Sequence, residues 1–135
     1  MSIVVGIDIG GSTTKIAAFR GEEMLVPVQI SADNPVASLF GAFGKFLYDN
    51  NLELNDIAQV NLTGVGANEI NQNIYGLPTY KVDEFSANGV GGKYFAEGRD
   101  EFMVVSMGTG TSFVQVKDRV PSHLGGIGIG GGTIV

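Results

Sequence analysis

The chain has no cysteine among its 135 residues. It therefore supplies no disulfide, no thiolate metal site and no cysteine-held iron–sulfur cluster. Positive charge is also scarce: eight Lys and Arg stand against fourteen Asp and Glu, a net charge of −6. That balance lacks the basic stripe with which a nucleic-acid surface neutralises phosphates. An anionic ligand would have to be held by local backbone amides and a few placed cations. No run approaches the roughly 20 apolar residues of a membrane-crossing helix. The opening "MSIVVGIDIGG" sets an acidic residue and glycines where a secretory signal needs a continuous apolar stretch. The expectation is a cytoplasmic protein with neither a membrane nor a nucleic-acid partner. The phosphate-binding signature GxxxxGK(S/T) is absent as well.

What is present is glycine, 21 residues of it, in a chain that is 44% hydrophobic and 16% charged. The length suits one domain with a real core. Residues 2–9 ("SIVVGIDI") form a β-branched run bounded by glycine, and 13–19 ("TTKIAAF") alternates, so the two predict a hairpin across Gly10-Gly11-Ser12. A third strand is expected over 23–30, with Pro27 at an edge or bulge. Asn34-Pro35 predicts a helix start, a capping side chain followed by proline at the first helical position. That helix should run to about Tyr48 and bury Val36, Leu39, Phe40, Phe43, Phe46 and Leu47, with Gly41 and Gly44 packed closely on the sheet. Residues 57–64 read as a strand, 67–74 as a short helix, 84–95 as another helix, and 102–108 and 111–117 as strands. The order β-β-β-α-β-α-α-β-β predicts an α/β domain with a mixed sheet.

Three segments repeat one local design, a buried strand followed by a glycine turn rich in hydroxyl groups: 6–15 ("GIDIGGSTTK"), 106–112 ("SMGTGTS") and 125–133 ("GGIGIGGGT"). Without a side chain, glycine lets backbone N–H groups close on phosphate oxygens, and Ser and Thr add donors. Lys15 follows the first turn and can supply a point charge to a phosphate. Asp8 lies between Ile7 and Ile9, an expensive place for a carboxylate without a function. It is of a type that holds Mg2+ directly or through water.

The stretch "GIDIGGSTTKIAAF" (6–19) resembles the first phosphate motif of the acetate and sugar kinase/Hsp70/actin superfamily. Further along, "VDEFSANGVGG" (82–92), "VVSMGTGTSF" (104–113) and "GGIGIGGGTI" (125–134) resemble, in that order and spacing, the type II pantothenate kinases. The resemblance covers essentially the whole chain. It implies a ribonuclease H-like (actin-like ATPase) fold with a β-β-β-α-β-α order flanked by helices, and two such domains with ATP and substrate between them. It further implies Mg-ATP-dependent phosphorylation of pantothenate to 4'-phosphopantothenate, the first step of coenzyme A biosynthesis. A homodimer and a coenzyme A thioester regulator belong to the same expectation. Residues 1–123 would be the first domain, and 124–135 a nucleotide loop opening a second domain beyond this chain. A fragment of that extent is expected to be inactive alone.

Carried onto this sequence, the resemblance makes Glu84 the catalytic base, a carboxylate that takes the proton of the attacking hydroxyl. Gly10, Gly11, Ser12, Thr13, Thr14 and Lys15 would contact the ATP phosphates, with Asp8 on the metal side. Gly130, Gly131, Gly132 and Thr133 match a second nucleotide loop. Thr109 and Ser112 match positions that touch nucleotide, substrate or a coenzyme A thioester. The pattern departs at His123, in "PSHLGG", where relatives commonly place an arginine that contacts the acceptor. His123 would donate a hydrogen bond instead, or Arg119 would substitute if the segment bulges. Two other readings remain open: an N-acetylhexosamine kinase of the same superfamily, and a non-catalytic ATP-dependent activator or regulatory module.

Overall fold

The structure, a computed structural model, describes every residue except 32, 132, 134 and 135. The chain divides into two compact units, Met1–Val82 and Asp83–Val135.

In the first unit, β1 (Ile3–Ile9) and β2 (Thr13–Arg20) form the expected hairpin. Parallel to β1 on its other side runs β5 (Ile57–Thr63), followed by β6 (Thr79–Lys81). The expected third strand is split: β3 (Glu23–Met24) and β4 (Val28–Ser31) each pair with β2, and Pro27 lies in the break. Proline has no N–H to give the ladder, so the edge is interrupted there. The sheet is thus mixed. Residues 79–81, which the sequence led directly into a helix, form a third parallel strand.

Helix α1 (Pro35–Asp49) starts as its sequence dictates, with the Asn34 Oδ1 accepting from the Ala37 N–H at 2.9 Å. At its other end, Asn50 bonds the carbonyls of Phe46 and Val26 and accepts from the Val26 N–H. The helix presses Leu39, Ala42, Phe43 and Phe46 onto Ile3, Val5, Ile7 and Ile9 of β1, Ile16 and Ala18 of β2, and Val60 and Leu62 of β5. Phe40 and Leu47 pack partly against this core, but Val36 is exposed, one turn too early to reach it. Gly44, expected at the sheet, faces open space. The helix expected over 67–74 is replaced by two short 3-10 turns, Val65–Glu69 and Ile74–Gly76. A Cβ on Gly66 would run into Ile9 and Pro35, so the chain there follows the packing and not helix propensity.

In the second unit, β7 (Glu101–Met107), β8 (Thr111–Lys117) and β9 (Val120–Ile127) form an antiparallel meander. The strand β9 was not expected. Asp118 and Arg119 connect it to β8 with φ of 50° and 67°, the left-handed pair of a two-residue hairpin turn. Helix α2 (Glu84–Phe95) lies on one face of this sheet. It approaches through glycine: a Cβ on Gly89 would stand 2.7 Å from the Pro121 Cβ, and one on Gly92 would strike Val104. Its larger apolar residues Val90, Tyr94 and Phe95 point away and are exposed.

Candidate active site

In the first unit, Asp8 and Lys15 face each other across the β1–β2 register, one pair in from the turn. The Lys15 Nζ donates to the Asp8 Oδ2 at 3.3 Å, and both side chains are partly exposed. An ion pair this long and this wet contributes little stability, at most about 1 kcal/mol. The ammonium can therefore exchange its carboxylate for a phosphate oxygen at small cost. Gly10 closes the turn by donating its N–H to the Thr13 carbonyl at 2.9 Å, while Gly11 and Ser12 are exposed. Thr13 is partly exposed, but Thr14 shares the buried face with Ile16 and is fully covered. The Thr14 hydroxyl thus points into the core and not toward the loop.

Sequence reasoning passed over Gly64. It sits at φ 90°, and a Cβ there would collide with the Ile9 carbonyl and come within 2.5 Å of the Asp8 Oδ1. Only glycine lets the chain turn so close beneath that carboxylate. The signal was a glycine directly after a strand, in "NLTGVG" (61–66). Beside it, Thr63 is in register with Asp8, and its buried Oγ1 has no hydrogen-bond partner among the described residues.

In the second unit, residues 128–131 fold back over the turn 108–110. Gly131 donates its N–H to the Gly108 carbonyl at 2.6 Å, and Gly130 is buried against the carbonyls of Gly108 and Thr109. The Gly130 N–H is held by the Thr133 Oγ1 at 3.2 Å, and the Thr111 hydroxyl donates to the Ile129 carbonyl at 2.7 Å. The close approach that these glycines permit is thus an approach of backbone to backbone. Gly132 and the expected helix start at Ile134 and Val135 lie outside the described residues. Thr109 is exposed at this turn, and Ser112 pairs in register with Ser106 and Gly126.

Glu84 is the first residue of α2. The Asp83 carboxylate before it caps the helix, accepting from the Ser86 N–H at 2.9 Å. That backbone hydrogen bond from Ser86 is the largest cause holding the Asp83 carboxyl below its ordinary range, with a smaller contribution from His123. His123 itself lies flat on Phe85, ring centroids 3.7 Å apart and planes at 16°. Arg119 sits at the tip of the β8–β9 turn, at the opposite end of the strand pair from the glycine turn. For a divalent cation, no group of three or more His, Asp or Glu side chains gathers among the described residues. A single carboxylate such as that of Asp8 is compatible with an ion that takes most of its ligands from water and phosphates.

No protein-family model matches the chain. Over its whole length it is 30% identical to a protein of Bacillus cereus (strain G9842) named type II pantothenate kinase. The chain spans about half the length of the curated relatives it matches, 48% in this case. Among solved structures, component A of the (R)-2-hydroxyglutaryl-CoA dehydratase of Acidaminococcus fermentans superposes with a TM-score of 0.74 at 17% identity, over 89% of this chain and 45% of that one. The activator of the 2-hydroxyisocaproyl-CoA dehydratase of Clostridium difficile, with bound ADPNP, gives 0.70 at 20%, over 93% and 44%. The fold is that of the actin-like ATPases, and the chain is similar from end to end to proteins named type II pantothenate kinase, as its motifs indicated.

Proposed function

We propose that this chain is one half of a kinase that moves the γ-phosphoryl group of ATP to the primary hydroxyl of pantothenate. The observation that carries the reading is the match along the entire chain to proteins of that name, including the segment around Glu84. In this reading Mg-ATP, when bound, supplies the electrophilic phosphoryl group. The turn Gly10–Thr13 and the Lys15 ammonium would orient its phosphates, and Asp8 would hold the ion. Glu84 accepts the hydroxyl proton as the oxygen attacks. Thr109 and Ser112 would hydrogen-bond the acceptor or the nucleotide, and the Gly131 N–H, bonded to the Gly108 carbonyl, fixes the turn that carries Thr109. The remaining half of the polypeptide would complete the nucleotide site, and the working form would be a cytoplasmic homodimer open to regulation by a coenzyme A thioester.

A second reading is an ATP-driven activator, since one structure of the same fold is the activator of the 2-hydroxyisocaproyl-CoA dehydratase, with ADPNP bound. Acceptor-dependent ADP release from Mg-ATP separates the possibilities, using a polypeptide carrying both halves and offering pantothenate, N-acetylhexosamines or no acceptor. Turnover with pantothenate is the expected result. Turnover with a sugar alone refutes the acceptor, and ATP binding with no acceptor-dependent release refutes the kinase.

A further inference from the structure

Helix α2 has a weak hold on its own conformation. Three of its twelve residues are glycine (Gly89, Gly91 and Gly92), each costing about 1 kcal/mol of helix propensity relative to alanine. Two of these form its contact with the sheet, so from Gly89 onward the helix rests on bare backbone against Pro121 and Val104. The first turn is different. There Phe85 meets the imidazole of His123 face to face, at 3.7 Å and 16°. Asp83 caps the same turn, accepting from the Ser86 N–H at 2.9 Å.

The strand is shaped to deliver that ring. Phe113 pairs with Gly125 and Val114 with His123, so Leu124 is an extra residue on β9, a bulge directly beside His123. Bulges re-aim the side chains next to them. His123 shares its face of the sheet with Val114, Val116 and Pro121, the face on which α2 lies. Adjacent residues on a helix are about 100° apart, so whatever fixes Phe85 in rotation also fixes Glu84.

We propose that His123 is a positioning residue: its ring, stacked on Phe85, holds the first turn of α2 and sets the direction of the Glu84 carboxylate. This rests on the reading of Glu84 as the base. It replaces hydrogen bonding to the acceptor as the function of His123. A ring plane is what the contact uses, and a donor is incidental to it.

The test has a spectroscopic arm and a kinetic arm. His123 is the only histidine in the chain, so its imidazole proton signals are assigned without ambiguity. They should be shifted upfield by the Phe85 ring, and Phe85→Leu should abolish the shift. Amide exchange at 84–86 should be roughly tenfold faster in His123→Gln and in Phe85→Leu. In the polypeptide carrying both halves, each of these variants should lower kcat on the order of 10- to 100-fold, with acceptor KM nearly unchanged. The double variant should be no worse than either single one. His123→Phe, which keeps a ring and removes the donors, should restore most of the lost kcat. An imidazole signal indifferent to Phe85→Leu overturns the proposal. So does a His123→Phe enzyme as impaired as His123→Gln with a raised KM, the pattern of a lost hydrogen bond to the acceptor. A wild-type polypeptide that turns over no acceptor defeats the kinase reading and the Glu84 alignment with it, while the imidazole shift still decides whether the stack forms.

Discussion

In Met1–Val82, β1, β2, β5 and α1 fuse their apolar side chains into one cluster that includes Phe43 and Phe46, both fully buried. In Asp83–Val135, Val114 and Val116 are the apolar residues buried to that degree among those described. Each unit contains the same device, a hairpin closed by a glycine turn, and the two differ in what surrounds it. One pair in from the turn, the first hairpin sets Asp8 against Lys15, and the second sets Ser106 against Ser112. Behind the first hairpin lies a helix with phenylalanines, and behind the second a helix with glycines. The face of the second sheet turned away from α2 carries Met103, Val105, Met107 and Ile127, all exposed. The first unit is therefore stabilised by its own interior. The second is a thin layer, apolar on both outer sides, and it carries Glu84 on an element with little packing of its own.

The sharpest test of this contrast is Glu84→Ala in a polypeptide carrying both halves. We expect kcat to fall by about 10²- to 10⁴-fold, the usual contribution of a general base, with only a small change in melting temperature. A variant that keeps most of its rate removes Glu84 as the base. Next in size is the core. Phe43→Ala should cost roughly 3–5 kcal/mol in denaturant unfolding, whereas Val105→Ala on the exposed sheet face should stay within about 0.5 kcal/mol. Equal costs would erase the distinction between the units. Peptides divided at the unit boundary extend it: 1–82 should unfold cooperatively, and 83–135 should show no cooperative transition by circular dichroism.

Gly64→Ala should cost about 1–3 kcal/mol through its left-handed backbone. It should also weaken nucleotide binding by displacing Asp8, read by calorimetric titration with Mg-ATP. Binding at full strength would show that Gly64 serves the turn only. The smallest effect concerns Asp83. Its carboxyl titrates below the ordinary aspartate range because the Ser86 N–H bonds the charged form. The cap is therefore intact above the unfolded-state value and is lost as pH falls through the lower folded one. The Ser86 amide resonance should titrate with that depressed midpoint, and a midpoint at the ordinary aspartate value would show that the cap is not formed.

Much of the fold was legible because local rules and burial agree. Asn34-Pro35 opened α1 where expected, and Leu39, Phe43 and Phe46 recur at helical spacing on the buried face. The strand alternation of 3–9 emerged directly as burial. Illegible elements were those that exist only through a partner. Strand β6 has three residues and is held by β5. Strand β9 contains Pro121, Gly125 and Gly126, poor strand formers that β8 nevertheless pairs. The candidate site divided in the same way. Asp8 and Lys15 were visible as charges in an apolar hairpin, but Gly64 beneath them is distant in sequence, and its importance depends on a contact.

The glycine-rich end, 124–133, shows where the division falls. Its composition pointed to backbone that comes close to something, the use that a cluster of glycines most often serves. Only the folded chain decided what that was: the turn 108–110, whose carbonyls take the Gly131 N–H and crowd Gly130. Sequence likewise determined the two hairpins, the capped helices and a carboxylate at the start of α2, since these depend on neighbours a few residues apart. Tertiary structure decided which amides are already bonded within the chain, that Thr14 faces the core, and that His123 lies on Phe85. Those outcomes depend on register and on a bulge, which bring together residues that have no local reason to meet.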